Sequence, residues 1–362
     1  MSCHCYFVPK YIEDRVYSKH LDKNQKALSV SSKFLHEHNS LKTSKVWKDS
    51  TFPIKNHVYT AKNRRRSPGI LAAASMNQAV ATKDINVVTA WILTDYFIRF
   101  CNTVLLDKTS GLESLKGANL IKFNGDLNHS EVFDIKSTIH YYMKYNNALY
   151  DGEQVIYGDG DGIVFEDFAQ DPSVVFHSLW HIITERSCKL LHKDQSGSLL
   201  MSLFDIFASI IMQWMNGETV DEASWLIGER CIIDNSEQGG RYALRSMSDP
   251  GTAFIDHPYM GTDDQRQDMS KYDISSEDSV YKNSGIPNHV FYLFAKSIGG
   301  YSWNIPCKIW FETITTPGLI SPNSTFVEFA QSTISVATDL YGTSDRSIVD
   351  KLSNVWQLVK VL

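Results

Sequence analysis

The pentapeptide His177-Ser178-Leu179-Trp180-His181 differs by one residue from the zinc-binding pattern H-E-x-x-H. Two histidines four residues apart lie on one face of a helix, where both imidazoles can reach a single tetrahedral Zn²⁺. In the full pattern, the Glu after the first His is the general base that takes a proton from zinc-bound water. Ser178 stands at that position and has no carboxylate. Taken alone, the pentapeptide is also typical of a helical histidine pair that binds no metal.

Other segments flank the pentapeptide in a defined order. Along the chain they are Asn146-Asn147-Ala148, Gly158-Asp159-Gly160-Asp161-Gly162, residues 196–207, Ser248-Asp249-Pro250-Gly251 and residues 283–288. Together with the pentapeptide they resemble the thermolysin-like neutral metallopeptidases over about residues 55–362. Residues 5–11 and 218–228 resemble the protealysin branch of that family, whose members begin with a short propeptide.

The resemblance implies an α+β fold of two lobes, with the pentapeptide helix at the bottom of the cleft between them. Residues 1–50 would form a propeptide-like arm and linker, residues 51–175 a β-rich N-terminal lobe, and residues 176–362 a helical C-terminal lobe. Hydrophobic periodicity agrees with this division. It predicts a strand around 57–60, a linker at 39–50, and helices at 12–17, 24–34, 86–104, 176–193, 198–215, 219–229, 284–298, 324–341 and 345–361.

Composition is typical of a globular protein with a sizeable core. The chain has 362 residues, of which 43% are hydrophobic, enough to bury one large core or two adjoining ones. Its most apolar run, residues 199–215, contains Asp205 and predicts a buried core helix rather than a membrane span. Charges from Lys10 onwards interrupt any signal-peptide core, and six scattered Cys favour reduced thiols. We therefore expect a protein that is cytoplasmic, or exported without a signal peptide, with neither membrane nor nucleic acid as a partner.

Charge is distributed unevenly along the chain. Residues 1–66 carry 14 Lys and Arg against 5 Asp and Glu, whereas residues 67–362 carry 21 against 36. A basic N-terminal segment on an acidic body predicts that the arm docks on the body. The alternative is a solvated or anion-binding tail that ends at Arg64-Arg65-Arg66.

The resemblance also assigns a third zinc ligand, and this position is substituted as well. The family has a Glu ligand in an N-E-x-x-x-D motif, which aligns here with residues 200–205. Met201 therefore replaces the ligand, and a neutral thioether is a poor partner for Zn²⁺. Asp205 keeps the carboxylate that would orient His177, although such a pair can also be satisfied without a metal. We expect zinc, if bound at all, at low occupancy on His177 and His181.

Further positions of the family's catalytic machinery are exchanged. The His that stabilises the developing oxyanion falls at Tyr281, its Asp partner falls at Ser276, and a Tyr that faces the same carbonyl falls at His192. The family's catalytic positions are thus occupied by different residues, Ser178, Tyr281 and His192. One interpretation is that His192 joins the two pentapeptide histidines in a rebuilt three-His zinc site. The other is drift after activity was lost.

The family's calcium ligands are mostly replaced, whereas its peptide-binding residues are kept. Glu229 is the one acidic residue left at the calcium positions, and Ca²⁺ takes about 6–8 oxygen ligands, so we expect no calcium. Asn147 and Ala148 match the edge-strand residues that hold substrate backbone. Arg245 matches the Arg that binds the carbonyl next to the scissile bond. The walls of the apolar specificity pocket are matched by Phe165, Val174, Ile227 and Leu244.

These substitutions predict a pseudopeptidase, a catalytically inactive family member that binds polypeptide or a partner protein through the old substrate cleft. Loss of a general base typically costs ~10²–10⁴ in rate, and loss of an oxyanion donor ~10²–10³. The alternative is an active zinc metalloendopeptidase with the rebuilt three-His site. A third possibility is a structural role that uses the fold alone. On an inactive body the arm would stay attached, because the body could not cut it.

Overall fold

The computed structural model describes residues 5–20, 54–105, 133–233, 242–275 and 278–362. Three sequence-based predictions, the helix at 24–34, the linker at 39–50 and the role of Ser276, lie outside these residues. Within them, the chain forms a mixed sheet in its N-terminal half and packed helices in its C-terminal half.

Six strands form the main sheet: β1 (Cys5–Tyr6), β2 (Ile54–Arg64), β3 (Ile70–Ala73), β4 (Phe133–Tyr141), β5 (Ala148–Tyr150) and β6 (Val155–Tyr157). Their spatial order is β1-β5-β6-β4-β2-β3. β4 pairs in parallel with β2 and β6, and the remaining pairs are antiparallel. The strand predicted around residues 57–60 is confirmed as part of β2. Because β1 belongs to the N-terminal arm, the arm itself forms one edge of the sheet.

Three helices accompany the sheet: α1 (Lys10–His20) in the arm, α2 (Met76–Ala81) after β3, and α3 (Ile85–Phe100). Helix α3 begins at Asp84, whose carboxylate accepts a hydrogen bond from the Asn86 N–H, as is typical of an N-cap. It continues as a π-helical turn over Cys101–Leu105. The helices predicted at 12–17 and 86–104 are thereby confirmed.

Helices α4 (Pro172–Ser187) and α5 (Asp194–Asn216) pack against each other and form the floor of the cleft. The side chain of Asp171 caps α4 by accepting from the N–H groups of Ser173 and Val174, and Pro172 occupies the first turn, where its missing N–H costs nothing. Helix α5 is long and apolar enough to cross a membrane, but 83% of its most apolar window is buried inside the protein. This is the core helix that the sequence predicted.

The C-terminal half continues with a two-stranded sheet and five helices. They are β7 (Leu226–Ile227), β8 (Arg245–Ser246), α6 (Ser279–Asn283), α7 (Gly285–Ile298), α8 (Ile305–Thr315), α9 (Phe326–Tyr341) and α10 (Arg346–Leu358). The helices predicted at 284–298, 324–341 and 345–361 are confirmed.

Two helix predictions in this half were wrong, and two helices were missed. Residues 219–229 form turns and β7 instead of a helix, because Trp225 (φ 58) and Gly228 (φ 74) adopt left-handed backbone conformations that end helices. Helix α4 ends at Ser187 rather than residue 193, since Cys188 is already extended. Helices α6 and α8 were not predicted, although Pro306 lies in the first turn of α8, where proline is favourable.

Candidate active site

Helix α4 holds the histidine pair on the side that contacts α5. The ring centroids of His177 and His181 lie 5.6 Å apart, and 2% and 7% of the two side chains are exposed. Ser178 and Met201, at the positions of the general base and the third ligand, are buried as well. Both substitutions therefore lie in the protein interior.

Asp205 is the centre of a hydrogen-bond network that joins four elements. Its carboxylate accepts from His177 Nδ1 at 2.8 Å, from Arg245 Nε at 2.8 Å and Nη2 at 2.9 Å, and from Asn288 Nδ2 at 3.0 Å. Asp205 lies on α5, and the donors come from α4, β8 and α7. Asn288 was not a predicted site residue, although it ends one of the segments that carry the resemblance. A carboxylate held by four donors, two of them from a guanidinium, has a fixed orientation.

The pKa values of Asp205 and of both histidines are lowered, for different reasons. Burial would raise the pKa of Asp205, but the charge of Arg245 and the hydrogen bond from His177 hold it at about 2. Burial lowers the pKa of His177, against the opposing effect of Asp205. Burial and the neighbouring His177 and His192 lower the pKa of His181 well below its usual value. At neutral pH Asp205 is therefore ionised and both histidines are neutral, with His177 donating from Nδ1.

The residues around the pair do not complete a metal site. Within the described ranges of the chain, no three His, Cys, Asp or Glu side chains are grouped so that they could hold a metal ion. His177 Nε2 is buried and has no hydrogen-bond partner, so one nitrogen has a lone pair available. Zinc sites in proteins use at least three protein ligands, and here the third-ligand position carries the neutral thioether of Met201. This donor set does not fit Zn²⁺.

Aromatic rings surround the two histidines. Phe204 stacks on His181 with 3.6 Å between ring centroids and meets His177 at 5.2 Å. Tyr150 stacks on His181 at 5.6 Å, and Phe7 of the arm meets His177 edge-on at 4.9 Å. Such contacts stabilise neutral imidazoles, so packing alone accounts for the buried pair. Phe204 and Phe7 were not predicted as site residues, because an apolar residue in a sequence carries no sign of what it packs against.

His192 and Tyr281 face each other at the wall of a cleft of about 900 Å³ that also contacts the arm. Their ring centroids are 5.7 Å apart. Burial lowers the pKa of His192, and its Nε2 is buried without a hydrogen-bond partner. The two exchanged residues are therefore neighbours. However, His192 is not grouped with the histidine pair as a third metal ligand in the part of the chain that the structure describes.

The N-terminal arm lies along the sheet in the manner of a bound peptide. β1 pairs antiparallel with β5, and the Phe7 N–H donates to the Ala148 carbonyl at 2.9 Å. Asn147 binds both ends of Val8: its Oδ1 accepts from the N–H at 2.8 Å, and its Nδ2 donates to the carbonyl at 3.0 Å. Arg245 Nη1 donates to the Phe7 carbonyl at 3.1 Å, and its guanidinium lies 4.6 Å from the Phe7 ring centroid. The three backbone-binding residues named from the sequence thus contact one segment of the same chain.

The four residues assigned to the apolar pocket are packed into the core. Phe165, Val174, Ile227 and Leu244 are each at most 1% exposed, and they belong to the same hydrophobic cluster as Phe7. The structure brings them together as core residues.

Basic side chains of α1 hold the arm against a loop of the helical lobe. Arg15 pairs with Asp264 at 2.8 Å and donates to the Met260 carbonyl at 3.0 Å. Lys19 Nζ donates to the Pro258 carbonyl at 2.7 Å. The loop thus offers oxygen atoms to the positive charges of the arm.

Two positions that the resemblance assigns to calcium ligands, Ser173 and Glu229, border a cavity of about 480 Å³. Ser173 Oγ donates to Asp171 Oδ1 at 2.6 Å and accepts from the Gly228 N–H at 2.8 Å. Ser173 therefore links the start of α4 to the residues that follow β7.

A β-containing lobe, a helical lobe and a histidine pair on the helix beneath the cleft define the architecture of a metallopeptidase. Residues 33–185 match the family model of the thermolysin metallopeptidase catalytic domain, and residues 188–361 match that of its alpha-helical domain. The chain belongs to the thermolysin-like metallopeptidase family, and the predicted two-lobed fold is confirmed.

Individual relatives show how far the similarity extends. An extracellular metalloprotease of Pectobacterium carotovorum subsp. carotovorum is 39% identical over 234 residues, covering 64% of this chain and 65% of the relative. Protease PrtS of Photorhabdus sp. is 32% identical, covering 84% and 76%. Bacillolysin of Brevibacillus brevis is 31% identical, but the chain spans only 50% of its length.

A solved structure, the precursor of protealysin from Serratia proteamaculans, superimposes with a TM-score of 0.76 at 29% identity. The superposition covers 99% of this chain and 100% of the precursor, which places the chain in the protealysin branch and makes its arm propeptide-like. The relatives carry the names of proteases, so they favour an active enzyme and give no support to the expectation that this chain is inactive.

Proposed function

We propose that this chain binds polypeptide in its cleft without cleaving it by the family's zinc chemistry, and that its own arm is the resident occupant. One contrast carries the proposal. Asn147, Ala148 and Arg245 hold a peptide backbone at four points, whereas Ser178 and Met201 stand where the base and the third ligand belong.

The backbone contacts indicate how a peptide lies in the cleft. Arg245 donates a hydrogen bond to the carbonyl of Phe7. Phe7 therefore takes the place of the substrate residue next to the scissile bond. Val8 follows on Asn147, and the strand pairing of β1 extends the contact in the other direction. A partner polypeptide binds by the same strand addition and must displace the arm to do so.

Of the described residues closest to the missing base, neither Ser178 nor Asp205 is suited to take over its role. The Ser178 hydroxyl is not a base at neutral pH. Asp205 is the buried carboxylate beside His177, but its pKa of about 2 and its four hydrogen bonds make it a poor proton acceptor. Within the part of the chain that the structure describes, the side chains grouped here do not make up a full donor set for a metal.

A peptidase assay combined with metal analysis tests the proposal on the full-length protein. Cleavage of casein and of a fluorogenic peptide is measured with and without 1,10-phenanthroline, next to the matched variant His177→Ala. We expect the two proteins to be equally inactive, and the intact mass of the stored protein to stay that of the full chain. Chelator-sensitive cleavage that is lost in His177→Ala would sink the proposal.

The second candidate function is an active zinc metalloendopeptidase. It is favoured by the protease names of the relatives and by the unpartnered Nε2 of His177. The variant His192→Ala separates its possible forms. Suppose that the wild-type protein carries one zinc per chain and cuts peptides. Loss of zinc and activity in His192→Ala would then establish a three-His site. Retention of zinc and activity in this variant would exclude a three-His site.

A further inference from the structure

The sheet edge opposite the arm is formed by β3. This strand, Ile70–Ala73, pairs with β2 on one side, and no strand in the described part of the chain pairs with its other side. Ile70 and Leu71 are 48% and 51% exposed, and Val80 on the following helix α2 is 47% exposed. A free strand edge with exposed apolar side chains is a template for an additional strand.

A basic surface adjoins this edge at the turn between β2 and β3. We call it the basic corner; it consists of the exposed side chains Lys62, Arg64, Arg65, Arg66 and Lys144. The Tyr142 N–H donates to the Arg64 carbonyl at 3.2 Å, and the Arg65 guanidinium lies 4.6 Å from the Tyr142 ring centroid. These contacts join the β2–β3 turn to the turn after β4, which carries Lys144, so the five cations share one surface.

The described residues do not balance the charge of the basic corner by ion pairs. Among the residues that the structure describes, the ion pairs include none of its five side chains. Residues 67–362, which form most of the body, carry 36 acidic against 21 basic residues. A local positive surface on an acidic body attracts an acidic partner and disfavours a basic one.

We propose that the basic corner and the free edge of β3 together bind an acidic segment of a polypeptide partner in extended conformation. The backbone of the segment pairs with β3, its apolar side chains cover Ile70 and Leu71, and its carboxylates face the basic corner. The free edge favours polypeptide over nucleic acid, because it presents N–H and C=O groups at strand spacing. This site lies at the opposite end of the strand order from the arm and does not depend on whether the cleft cuts peptides.

Binding of a labelled peptide to the full-length protein tests the proposal. The probe is an octapeptide of alternating Glu and Val with an N-terminal fluorescein, followed by fluorescence anisotropy in about 20 mM and about 300 mM NaCl. We expect the peptide to bind, and its affinity to fall about tenfold at the higher salt concentration. A control peptide in which Lys replaces Glu should bind more weakly than the acidic peptide.

Two double variants locate the site. Arg64→Glu/Arg65→Glu is expected to weaken binding of the acidic peptide at least about tenfold. The matched control Lys189→Glu/Arg346→Glu reverses two exposed cations of the helical lobe and is expected to leave binding unchanged. All four positions are exposed, so both variants should fold, as circular dichroism would verify.

Each remaining outcome overturns the proposal. Failure of the acidic peptide to bind, or equal binding by the two double variants, removes the site. Equal binding of a peptide with Pro at alternate positions excludes strand addition. A wild-type dimer in sedimentation that Arg64→Glu/Arg65→Glu abolishes would make a second copy the occupant. Tighter binding of duplex DNA than of the peptide, lost in the same variant, would make nucleic acid the ligand.

Discussion

The floor and the edge of the cleft differ from the family pattern in opposite ways. On the floor, helices α4 and α5 carry Ser178 and Met201 in place of a base and a ligand. Along the edge, Asn147 and Ala148 keep the family's residues and hold the arm. Arg245 belongs to both regions, because it pairs with Asp205 on the floor and donates to the Phe7 carbonyl at the edge.

The difference shows which groups have a structural use apart from chemistry. The edge residues satisfy backbone groups that would otherwise leave an open strand, and Arg245 neutralises a buried carboxylate. A general base and a third zinc ligand have no such second use. Under the proposed function, the floor is therefore free to change, whereas the edge residues keep their contacts with the arm.

Removal of the carboxylate on the floor is expected to have the largest effect. Asp205→Ala leaves the buried guanidinium of Arg245 without its anion, and breaking a buried pair in this way typically costs about 3–5 kcal/mol. Urea denaturation measures the change in the free energy of unfolding. The matched control Asp350→Ala removes an exposed pair with Arg346 and is expected to cost under about 1 kcal/mol. Similar losses in both variants would show that the floor does not rely on the network.

Shortening of Phe7 tests the edge. The ring is 1% exposed and lies between Arg245 and His177, and a Phe→Ala change at such a site costs about 3–5 kcal/mol. This loss weakens docking of the arm, so trypsin should cut at Lys10 and Arg15 faster by a factor of about 10² to several thousand. The matched control Tyr17→Ala changes a residue that is 49% exposed, and trypsin should cut this variant at the wild-type rate. Unchanged cleavage in Phe7→Ala would mean that the arm is held elsewhere.

The two regions should also lose stability at opposite ends of the pH scale. The pKa of Asp205 is held at about 2, below its usual value of about 3.9. Its contribution is therefore present above about pH 4 and is lost as the pH falls toward 2.

His140 supports the edge through Asp159, in the loop that also binds Asn146 through Asp161. Burial would lower the pKa of His140, but Asp159 and Asp84 raise it to about 10. Its contribution is thus complete below about pH 6.5 and is lost as the pH rises through 10. Thermal unfolding should show a decline from pH 7 to 10 that is smaller in His140→Gln. An equal decline in that variant would contradict the assignment.

The smallest effect is expected from the ion pair of the arm. Arg15 and Asp264 are 37% and 33% exposed, and pairs of this kind contribute about 0.2–1 kcal/mol and are screened by salt. Arg15→Met should therefore raise trypsin cleavage at Lys10 slightly in dilute buffer and not at all in high salt. A large effect that persists in high salt would show that the carbonyl contact to Met260 matters more than the charge.

Much of the fold and of the site could be predicted because the signals are local. The spacing of His177 and His181 fixes a shared helix face, and the apolar run around Asp205 predicts the core helix α5. The order of the motifs along the chain predicts the two lobes and the residues that bind peptide backbone. The turn carboxylate Asp161 accepts from the N–H groups of residues 163–165, as expected of an Asp in a Gly-rich turn.

The features that the sequence did not predict share a different cause, because they depend on contacts between distant segments of the chain. Phe204 packs on His181, and Phe7 lies 4.9 Å from His177 across 170 positions of the chain; neither contact leaves a periodic signal. The helix predicted at 219–229 fails because Trp225 adopts a left-handed conformation that its residue type does not announce.

The single guanidinium shared by floor and edge also bears on how the arm can leave. When the Phe7 carbonyl departs, Arg245 Nη1 loses its acceptor in a buried setting, and an unpaired donor there is costly. Water must therefore enter beside Arg245 as the Phe7 ring withdraws. Release of the arm thus requires hydration of the buried guanidinium.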